Sequence, residues 1–316
     1  MGLRLYATCD LHGSNRCFRK FLNAADRYKA DVILINGDIT GKAVVPIIQE
    51  KNGTYVTEFM GGKEKAKSEK DLVKLQERIG NVGYYPSILT SEELDALQND
   101  PDKVTALFNK LLTDRLKEWL RLADEKLPAQ QCKAFMMPGN DDIPEIDEVI
   151  AESKTLINPA EKLVVLRDEY EMISTSWANP TPWQTQRECS EEELFGRIQA
   201  LASQVHNMRT AIFNFHVPPI DSTLDLAPEL DKDLRPVIGA AGMVMKAAGS
   251  TAVRKAIEEY QPMLGFFGHI HESPGRVNIG RTVCINSGSE YSTGLLRAFV
   301  IDFDGENVAK AFRVEG

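Results

Sequence analysis

Cysteine and long apolar runs are both scarce in this 316-residue chain, and each shortage argues against a class of protein. The five cysteines are scattered without a Cys-x-x-Cys pair, which disfavours a zinc ribbon or a disulfide framework and favours a reducing, cytoplasmic compartment. No apolar run approaches the ~18 residues of a membrane span. The first segment also lacks the charged, apolar and small-residue order of a signal peptide, so we expect no membrane association.

Positive charge is also in short supply, because 37 Lys and Arg residues stand against 46 Asp and Glu, for a net charge of −9. Binding of nucleic acid needs clustered Lys and Arg, so this balance counts against a nucleic-acid partner, although a local basic groove would not show in the total. A small phosphorylated substrate remains compatible, because bound cations would dominate the field at its site.

Strand-like and helix-like segments alternate along most of the chain, which predicts an α/β fold. Leu3–Cys9 and Asp31–Asn36 are apolar runs, and between them Ser14 can cap a helix that reaches about Tyr28, forming a βαβ unit. Further strands are predicted at 133–137, 163–166, 171–176, 210–215, 263–268, 282–286, 297–303 and 308–313. Further helices are predicted at 142–151, with Asp142 as its cap, at 191–207 and at 250–260.

Residues from about 42 to 130, called the insertion below, separate the second predicted strand from the third. A parallel crossover needs only about a dozen residues, so this segment is much longer than the connection requires. Glu92–Gln98 and Val104–Lys126 have helical spacing, and we interpret the segment as a mostly helical cap or lid. A surface elaboration or a dimer contact explains it equally well. Residues 1–316 are otherwise interpreted as one domain.

Side chains able to bind metal ions follow five of the predicted strands. They are Asp10, His12, Asp38, Asn140, His216, His269 and His271. Ligands of open α/β folds bind at the carboxyl ends of strands, and four of the five histidines lie there. Imidazole with carboxylate suits zinc, manganese or iron better than calcium. Seven groups are too many for one ion but enough for two ions that share a carboxylate, a recurring device in displacement at phosphorus.

Glycine precedes three of these residues, in Gly37-Asp38, Gly139-Asn140 and Gly268-His269. Glycine permits a tight turn from strand to loop and a close approach of the backbone to a ligand. A single Asp-x-His or an isolated histidine in a loop would be common by chance. The ordered set of segments, each at a strand end, is what indicates a metal site.

The order Asp10-x-His12, Gly37-Asp38, Gly139-Asn140, His216 and Gly268-His269-x-His271 resembles that of the calcineurin-like metallophosphoesterases. The matching segments extend from residue 10 to 271 but leave out the insertion and residues 218–249. The resemblance implies a four-layer sandwich of two sheets between helices. It also implies hydrolysis of phosphate monoesters or diesters by a hydroxide that bridges two divalent cations.

The same resemblance implies how the ligands are divided. One cation would take Asp10, His12, Asp38 and His271. The other would take Asp38, Asn140, His216 and His269. Asp38 would therefore bridge the two ions.

One position departs from the family pattern. Many members follow the ligand Asn with a His that assists the leaving group or binds phosphate, and here that position is Asp141. A carboxylate beside two cations is pushed towards its ionised form and then has no proton to give. Asp141 therefore either orients a ligand, or the chemistry needs a good leaving group or another acid. Our hypothesis is that activated esters turn over faster than alkyl esters.

The segment from Trp177 to Trp183 contains two Trp and two Pro, which predicts a stiff loop with large aromatic faces. Trp177 and Trp183 either wall the substrate pocket and stack on a base or an aryl group, or pack over the insertion. Aromatic clusters belong more often to cores than to binding sites, which favours packing.

Three cationic residues, Arg187, Arg235 and Lys246, are candidates to bind phosphate oxygens, and the sequence does not choose among them. His206 lies on a predicted helix away from any strand end, and we expect it to be a surface or core histidine.

Two other functions share this sequence pattern. A nuclease of the same architecture is disfavoured by the acidic charge and by Asp141. A non-catalytic scaffold is disfavoured because no metal ligand is missing. The leading interpretation is an enzyme that hydrolyses phosphate esters of small substrates.

Overall fold

Strands and helices follow one another through residues 2–167, 169–240 and 242–316, the part of the chain that the computed structural model describes. The strands are β1 (Leu3–Cys9), β2 (Val32–Asn36), β3 (Val44–Gln49), β4 (Tyr55–Phe59), β5 (Gly62–Ala66), β6 (Tyr85–Leu89), β7 (Lys133–Met137), β8 (Leu156–Ile157), β9 (Leu163–Arg167), β10 (Tyr170–Thr175), β11 (Ile212–Phe215), β12 (Leu226–Pro228), β13 (Ile238–Gly239), β14 (Gly242–Met243), β15 (Met245–Ala247), β16 (Leu264–Phe267), β17 (Gly275–Ile279), β18 (Thr282–Asn286), β19 (Arg297–Asp304) and β20 (Asn307–Glu315). The helices are α1 (Asn15–Tyr28), α2 (Glu69–Asn81), α3 (Ser91–Gln98), α4 (Pro101–Lys126), α5 (Ile146–Ile150), α6 (Glu191–Ala202) and α7 (Thr251–Tyr260). None of the helices in this part of the chain is long and apolar enough to cross a membrane.

Two six-stranded sheets form the centre of the molecule. The first has the order β20-β19-β1-β2-β7-β8, with β1, β2, β7 and β8 parallel. The second has the order β17-β18-β16-β11-β10-β9, with β18, β16, β11 and β10 parallel. Parallel strands covered on both faces are apolar throughout, which is why β2 is buried at every residue.

The two sheets pack face to face, and helices cover both outer faces. Leu5 and Leu34 of the first sheet meet Met172 and Phe266 of the second in one buried core. A second core lies between the first sheet and α1, α4 and α5, and a third lies between the second sheet and α6 and α7. The four-layer sandwich that the sequence resemblance implied is therefore confirmed.

Serine caps fix the starts of three helices where the sequence predicted them. The hydroxyl oxygens of Ser14, Ser190 and Ser250 accept hydrogen bonds from backbone N–H groups in the first turns of α1, α6 and α7. The prediction of a helix through residue 207 was too long, because α6 ends at Ala202. Beyond it, the backbone N–H of His206 donates to a carboxylate oxygen of Glu171, which draws the chain back towards β10.

The insertion contains a four-stranded sheet that the sequence did not reveal, in the order β5-β4-β3-β6. Its helices α2, α3 and α4 make up the larger share, in agreement with the mostly helical prediction. The sequence predicted α3 and α4 but not α2. The sequence did not predict the sheet, because β5 is exposed along most of its length and is therefore polar. The Met60-Gly61 turn before β5 has left-handed backbone angles. The insertion has a small core of its own. Ile47 and Ile79 lie in this core, between the four-stranded sheet and α2.

Helix α4 belongs to the insertion in sequence but to the main sandwich in space. Leu116, Trp119 and Leu120 are buried against α1 and the first sheet. The Trp119 ring stacks on Phe18 with ring centroids 4.3 Å apart and planes within 2° of parallel.

Candidate metal centre

The seven predicted ligands meet where strands of both sheets end. Backbone hydrogen bonds join their loops: Asp10 N–H donates to the carbonyl of Gly37 at 3.1 Å, and His12 N–H donates to that of Asp38 at 2.9 Å. Across the sheets, Asp10 and Asp38 follow strands of the first sheet, whereas His216 follows a strand of the second. The fold therefore brings together residues that are up to 261 positions apart, from Asp10 to His271.

Four of the seven residues have left-handed backbone angles, with φ of 51° at Asp10, 40° at His12, 45° at Asp38 and 65° at His269. Such a conformation costs a non-glycine residue about 1–2 kcal/mol. Strain of this kind persists where the surrounding structure imposes it, and it concentrates at functional sites. The strained turns aim these side chains into one small volume.

Close approach explains the glycines that precede the ligands. A Cβ atom on Gly37 would lie 1.9 Å from Nδ1 of His216, and one on Gly139 would lie 2.2 Å from Oδ1 of Asp38. No larger residue fits at either position without displacing a neighbouring ligand.

The first ligand cluster consists of Asp10, His12 and His271, whose donor atoms all lie within 4.8 Å of one another. Nε2 of His12 is 3.2 Å from Nε2 of His271, and the latter is 3.7 Å from Oδ1 of Asp10. Nδ1 of His12 is buried without a hydrogen-bond partner among the described residues.

The second ligand cluster consists of Asp38, His216 and His269, joined by Asn140. Oδ1 of Asn140 is 3.0 Å from Nε2 of His216 and 2.7 Å from Nδ1 of His269. The amide nitrogen of Asn140 donates to the hydroxyl of Thr185 at 2.8 Å, which leaves the oxygen facing the histidines.

Asp38 belongs to the second cluster and also lies close to the first. Its Oδ2 is 3.7 Å from Nε2 of His12, and its Oδ1 is 3.4 Å from Nε2 of His216. One carboxylate thus offers an oxygen to each side, which is the arrangement that a shared ligand of two ions requires.

The donor set fits divalent cations. Asp10 and Asp38 are buried carboxylates with relative exposures of 0% and 3%, and buried charges are normally paired or bound to metal. Two imidazole nitrogens 3.2 Å apart need a proton or a cation between them to avoid repulsion of their lone pairs. Nitrogen and oxygen donors in this mixture suit zinc, manganese or iron.

Electrostatics prepare the groups for that role. Burial alone would raise the pKa of Asp38, but the nearby His216 and His12 outweigh it and hold that pKa well below its ordinary value. Burial lowers the pKa of His12 to about 3 and of His269 to about 4, which keeps both rings neutral and able to bind metal. Despite burial, Asp38 raises the pKa of His216 to about 9, so a cation would have to displace a proton there.

Comparison with known proteins agrees on the fold. No family model matches the chain. The uncharacterized protein MJ1162 of Methanocaldococcus jannaschii is 28% identical over 179 residues, which are 55% of this chain and 73% of that protein. The crystal structure of TT1561 from Thermus thermophilus aligns over 99% of both chains with 14% identity and a TM-score of 0.55. A dimetal phosphatase from Danio rerio aligns over 99% of this chain and 98% of its own with 8% identity and a TM-score of 0.46.

The chain has the four-layer sandwich of two sheets between helices that its sequence resemblance to the calcineurin-like metallophosphoesterases implied. The candidate ligand clusters lie where strands of both sheets end.

Buried polar groups behind the ligands hold them in place. The amide nitrogen of Asn36 donates to Oδ1 of Asn214 at 2.7 Å, and its Oδ1 lies 3.3 Å from Nδ1 of His216. Partners of this kind orient a ligating imidazole. Asn36 was not among the predicted site residues, although a polar residue at the end of an otherwise apolar strand is a usable signal.

Asp142 does not cap a helix, and that prediction was wrong. Its carboxylate accepts hydrogen bonds from the backbone N–H groups of Ile39, Thr40 and Gly139 at 2.8–3.0 Å, while the helix predicted at 142–151 shrinks to α5. The physical reason is that three unpaired N–H groups converge on it in the buried space between two ligand loops. Burial and the charge of Asp38 raise the pKa of Asp142 to about 6.

Asp141 has a partner that the sequence analysis missed. Its Oδ2 lies 2.8 Å from Nζ of Lys42, and its backbone N–H donates to Oδ1 of Asp38 at 3.0 Å. Burial and the charge of Asp38 raise the pKa of Asp141, and Lys42 opposes that rise. Lys42 follows Asp38 by four positions, but its contact with Asp141 spans 99 residues and leaves no sequence signal.

The remaining candidates lie in different settings. Arg187 is buried and donates to the carbonyls of Asp142 and Ile143, so its guanidinium supports the ligand loop. Arg235 and Lys246 are exposed, and phosphate binding by them stays a prediction.

The two tryptophans differ in exposure. Trp177 packs on the core of α6 and α7 under the guanidinium of Arg197, 4.2 Å from its ring centroid, rather than over the insertion. Trp183 is 62% exposed. Contact of either with substrate stays a prediction. His206 is a surface histidine, as expected, with Nδ1 2.6 Å from Glu171.

Proposed function

We propose that the protein is a metal-dependent hydrolase of phosphate esters that acts on small phosphorylated substrates, either monoesters or diesters. The observation that carries the proposal is the carboxylate of Asp38, which offers one oxygen to each of two clusters of buried donors. Manganese, iron or zinc ions, when bound, would neutralise phosphate charge and activate water. The net charge of −9 makes nucleic acid a poor partner, and a cytoplasmic location is part of the proposal.

The chain's own residues have separate tasks in this reaction. Asp10, His12 and His271 would hold one cation, and Asn140, His216 and His269 the other. Asp38 would set their separation. Because the strained loops and the buried network fix these groups before substrate arrives, little reorganisation is needed at the reacting phosphorus.

The test is metal content and turnover of the purified chain, with Asp38→Asn as the variant. We expect about two metal ions per wild-type chain and hydrolysis of at least one ester in a panel supplied with manganese. Loss of an outer-shell partner costs up to about 100-fold, so loss of the shared ligand should cost at least that much. Asp114→Asn, an exposed residue on α4, is the matched control and should change neither readout.

Two outcomes would refute the proposal. A wild-type chain that binds no metal would remove its basis. Two bound ions without hydrolysis of any monoester or diester would instead favour a non-catalytic scaffold.

Asp141 bears on which esters react fastest. If the cations keep its carboxylate ionised, no proton reaches an alkoxide from this position. We therefore expect aryl phosphate esters to turn over faster than alkyl esters of the same charge. Equal values of kcat on a matched aryl and alkyl pair would contradict this role for Asp141.

A further inference from the structure

Lys42 is a cationic side chain at the mouth of the metal centre to which the proposed function gives no task. Its Nζ lies 2.8 Å from Oδ2 of Asp141, and 51% of its side-chain surface is exposed. Asp141 in turn lies within 4.8 Å of donor atoms of His12 and Asp38. The ammonium group therefore lies between the ligand clusters and solvent, on a side from which a substrate can approach.

The backbone that carries Lys42 is fixed from two directions. On one side, Thr40 donates through its backbone N–H and its hydroxyl to the buried carboxylate of Asp142. On the other side, the backbone N–H of Gly41 donates to the hydroxyl of Tyr85 in the insertion at 2.7 Å. A Cβ atom on Gly41 would lie 2.1 Å from the carbonyl oxygen of Gly83, so the insertion packs directly on this loop. These contacts fix the position of the backbone next to Lys42.

The charge of Lys42 reaches the ligand groups. After burial, it contributes to the lowered pKa of His12, and it helps to hold the pKa of Asp38 below its ordinary value. A cation this close to a centre for two divalent ions is repelled unless negative charge stands between them. Asp141 supplies part of that charge, and an anionic substrate would supply the rest.

We propose that the ammonium of Lys42, positioned by Asp141, binds a phosphoryl oxygen of the substrate that is not bonded to the leaving group. Lysine is a common phosphate ligand that acts as a point charge. Asp141 raises the pKa of Lys42 against the effect of burial, so the group stays charged and contributes hydrogen bonds rather than a proton. This inference rests on the proposed function and adds a substrate-binding residue to it.

A purely structural ion pair is the competing explanation, and the two differ in what they change. A structural pair would affect unfolding but leave phosphate affinity and KM as they were. A residue that binds substrate would change phosphate affinity and KM and leave metal content unchanged.

The experiment compares Lys42→Met and Lys42→Arg with wild type, all loaded with manganese. Lys110→Met is the matched control, because Lys110 also pairs with one aspartate, at 2.6 Å, but on the exposed face of α4. Calorimetry with inorganic phosphate gives Kd, and steady-state kinetics on an aryl monoester and an aryl diester give KM and kcat.

We expect Lys42→Met to weaken phosphate binding and raise KM by about 10- to 100-fold, as for loss of a charged hydrogen bond. Lys42→Arg should recover most of that loss, and metal content should match wild type in every variant. Unchanged Kd and KM in a metal-replete Lys42→Met chain would overturn the inference while leaving the proposed function intact. Loaded wild type that binds phosphate without turnover would refute the function, and the phosphate titration would still decide the role of Lys42. No metal uptake by wild type would overturn both.

Discussion

At the scale of single residues, Gly37 shows how tightly the ligand clusters are packed. It combines a φ of +76° with a virtual Cβ only 1.9 Å from Nδ1 of His216. Gly53, in an exposed turn of the insertion, has a φ of +80° and no atom within 4 Å of its virtual Cβ. Both glycines therefore have a left-handed backbone, but only at Gly37 would a side chain clash with a neighbouring residue.

We predict that Gly37→Ala abolishes metal binding to the second cluster, whereas Gly53→Ala leaves it intact. Both variants should lose about 1 kcal/mol of unfolding free energy to backbone strain, and Gly37→Ala should lose more because His216 must move. Metal stoichiometry and chemical denaturation measure the two effects. Equal metal content in both variants would show that the His216 ring has room to shift.

The sequence predicted the candidate ligands that meet in the two clusters, but not the residues around them. Asp10, His12 and Asp38 could be predicted because a metal-binding side chain directly after an apolar strand is a local pattern. Lys42 and Asp142 could not, because their roles depend on contacts with chain segments about 100 residues away. A polar residue in a loop gives no local indication of which buried partner it will meet.

At the scale of elements, the insertion is attached to the rim of the metal centre through Tyr85. The hydroxyl of this buried residue of β6 accepts a hydrogen bond from the backbone N–H of Gly41, which is next to Lys42. Tyr55 of β4 offers a matched comparison, because it is also buried but its hydroxyl donates to Glu69 within the insertion, at 3.2 Å.

We predict that Tyr85→Phe raises KM and costs about 1–3 kcal/mol of unfolding free energy, because it leaves a buried N–H without a partner. Tyr55→Phe should cost less and leave KM unchanged. Steady-state kinetics and urea denaturation of both variants measure the contrast. A KM for Tyr85→Phe equal to that of wild type would mean that the insertion does not position the Lys42 loop.

Helix α4 is joined to the turn after α5 through Asp124. Its carboxylate accepts hydrogen bonds from the hydroxyl of Ser153 at 2.7 Å and from the backbone N–H groups of Lys154 and Thr155 at 3.0 Å. Burial opposes the ionised form, but the hydrogen bonds from Thr155 and Ser153 prevail and lower the pKa of Asp124.

This lowered pKa predicts a pH-dependent contribution to stability. Because the folded pKa lies below the unfolded value of about 3.9, the contribution is complete above that pH and is lost as pH falls through the folded pKa. Asp124→Asn should cost about 1–2 kcal/mol near neutral pH, and the difference from wild type should shrink in acid. Urea denaturation at pH 7 and below pH 4 tests it; a difference that does not depend on pH would exclude the carboxylate charge as its source.

The elements themselves could be predicted where burial requires an apolar run or a periodic pattern of apolar residues in the sequence. The apolar parallel strands and the serine-capped helices α1, α6 and α7 were found for that reason. The sheet of the insertion was missed because β5 is mostly exposed and polar. Its strands are specified by pairing with neighbours, which a single segment does not reveal.

At the scale of the whole molecule, each ligand cluster joins the two sheets of the sandwich. Asp10 and His12 come from the first sheet and His271 from the second, and the other cluster is divided in the same way. Bound cations would therefore link the sheets at one edge. That role is thermodynamic as well as chemical, because a ligand of the native state stabilises it.

We predict that manganese raises Tm and that a chelator returns it to the metal-free value. At a metal concentration of 100 times Kd, each site adds about 2.7 kcal/mol. Asp38→Asn should lose most of this increase, and Asp114→Asn should keep it. Thermal denaturation with and without manganese provides the measurement, and a Tm that does not respond to the metal would contradict sites that join the sheets.

The position of α4 has a consequence for how the molecule can be divided. Removing residues 42–130 would take away the partner of Phe18 and uncover the outer face of the first sheet, since Leu116, Trp119 and Leu120 are buried there. A shortened protein that keeps its helical layer must therefore retain α4 and give up only β3 to α3. Helix α4, the last helix of the insertion, is thus part of the outer layer of the sandwich. Without α4 the domain would be incomplete.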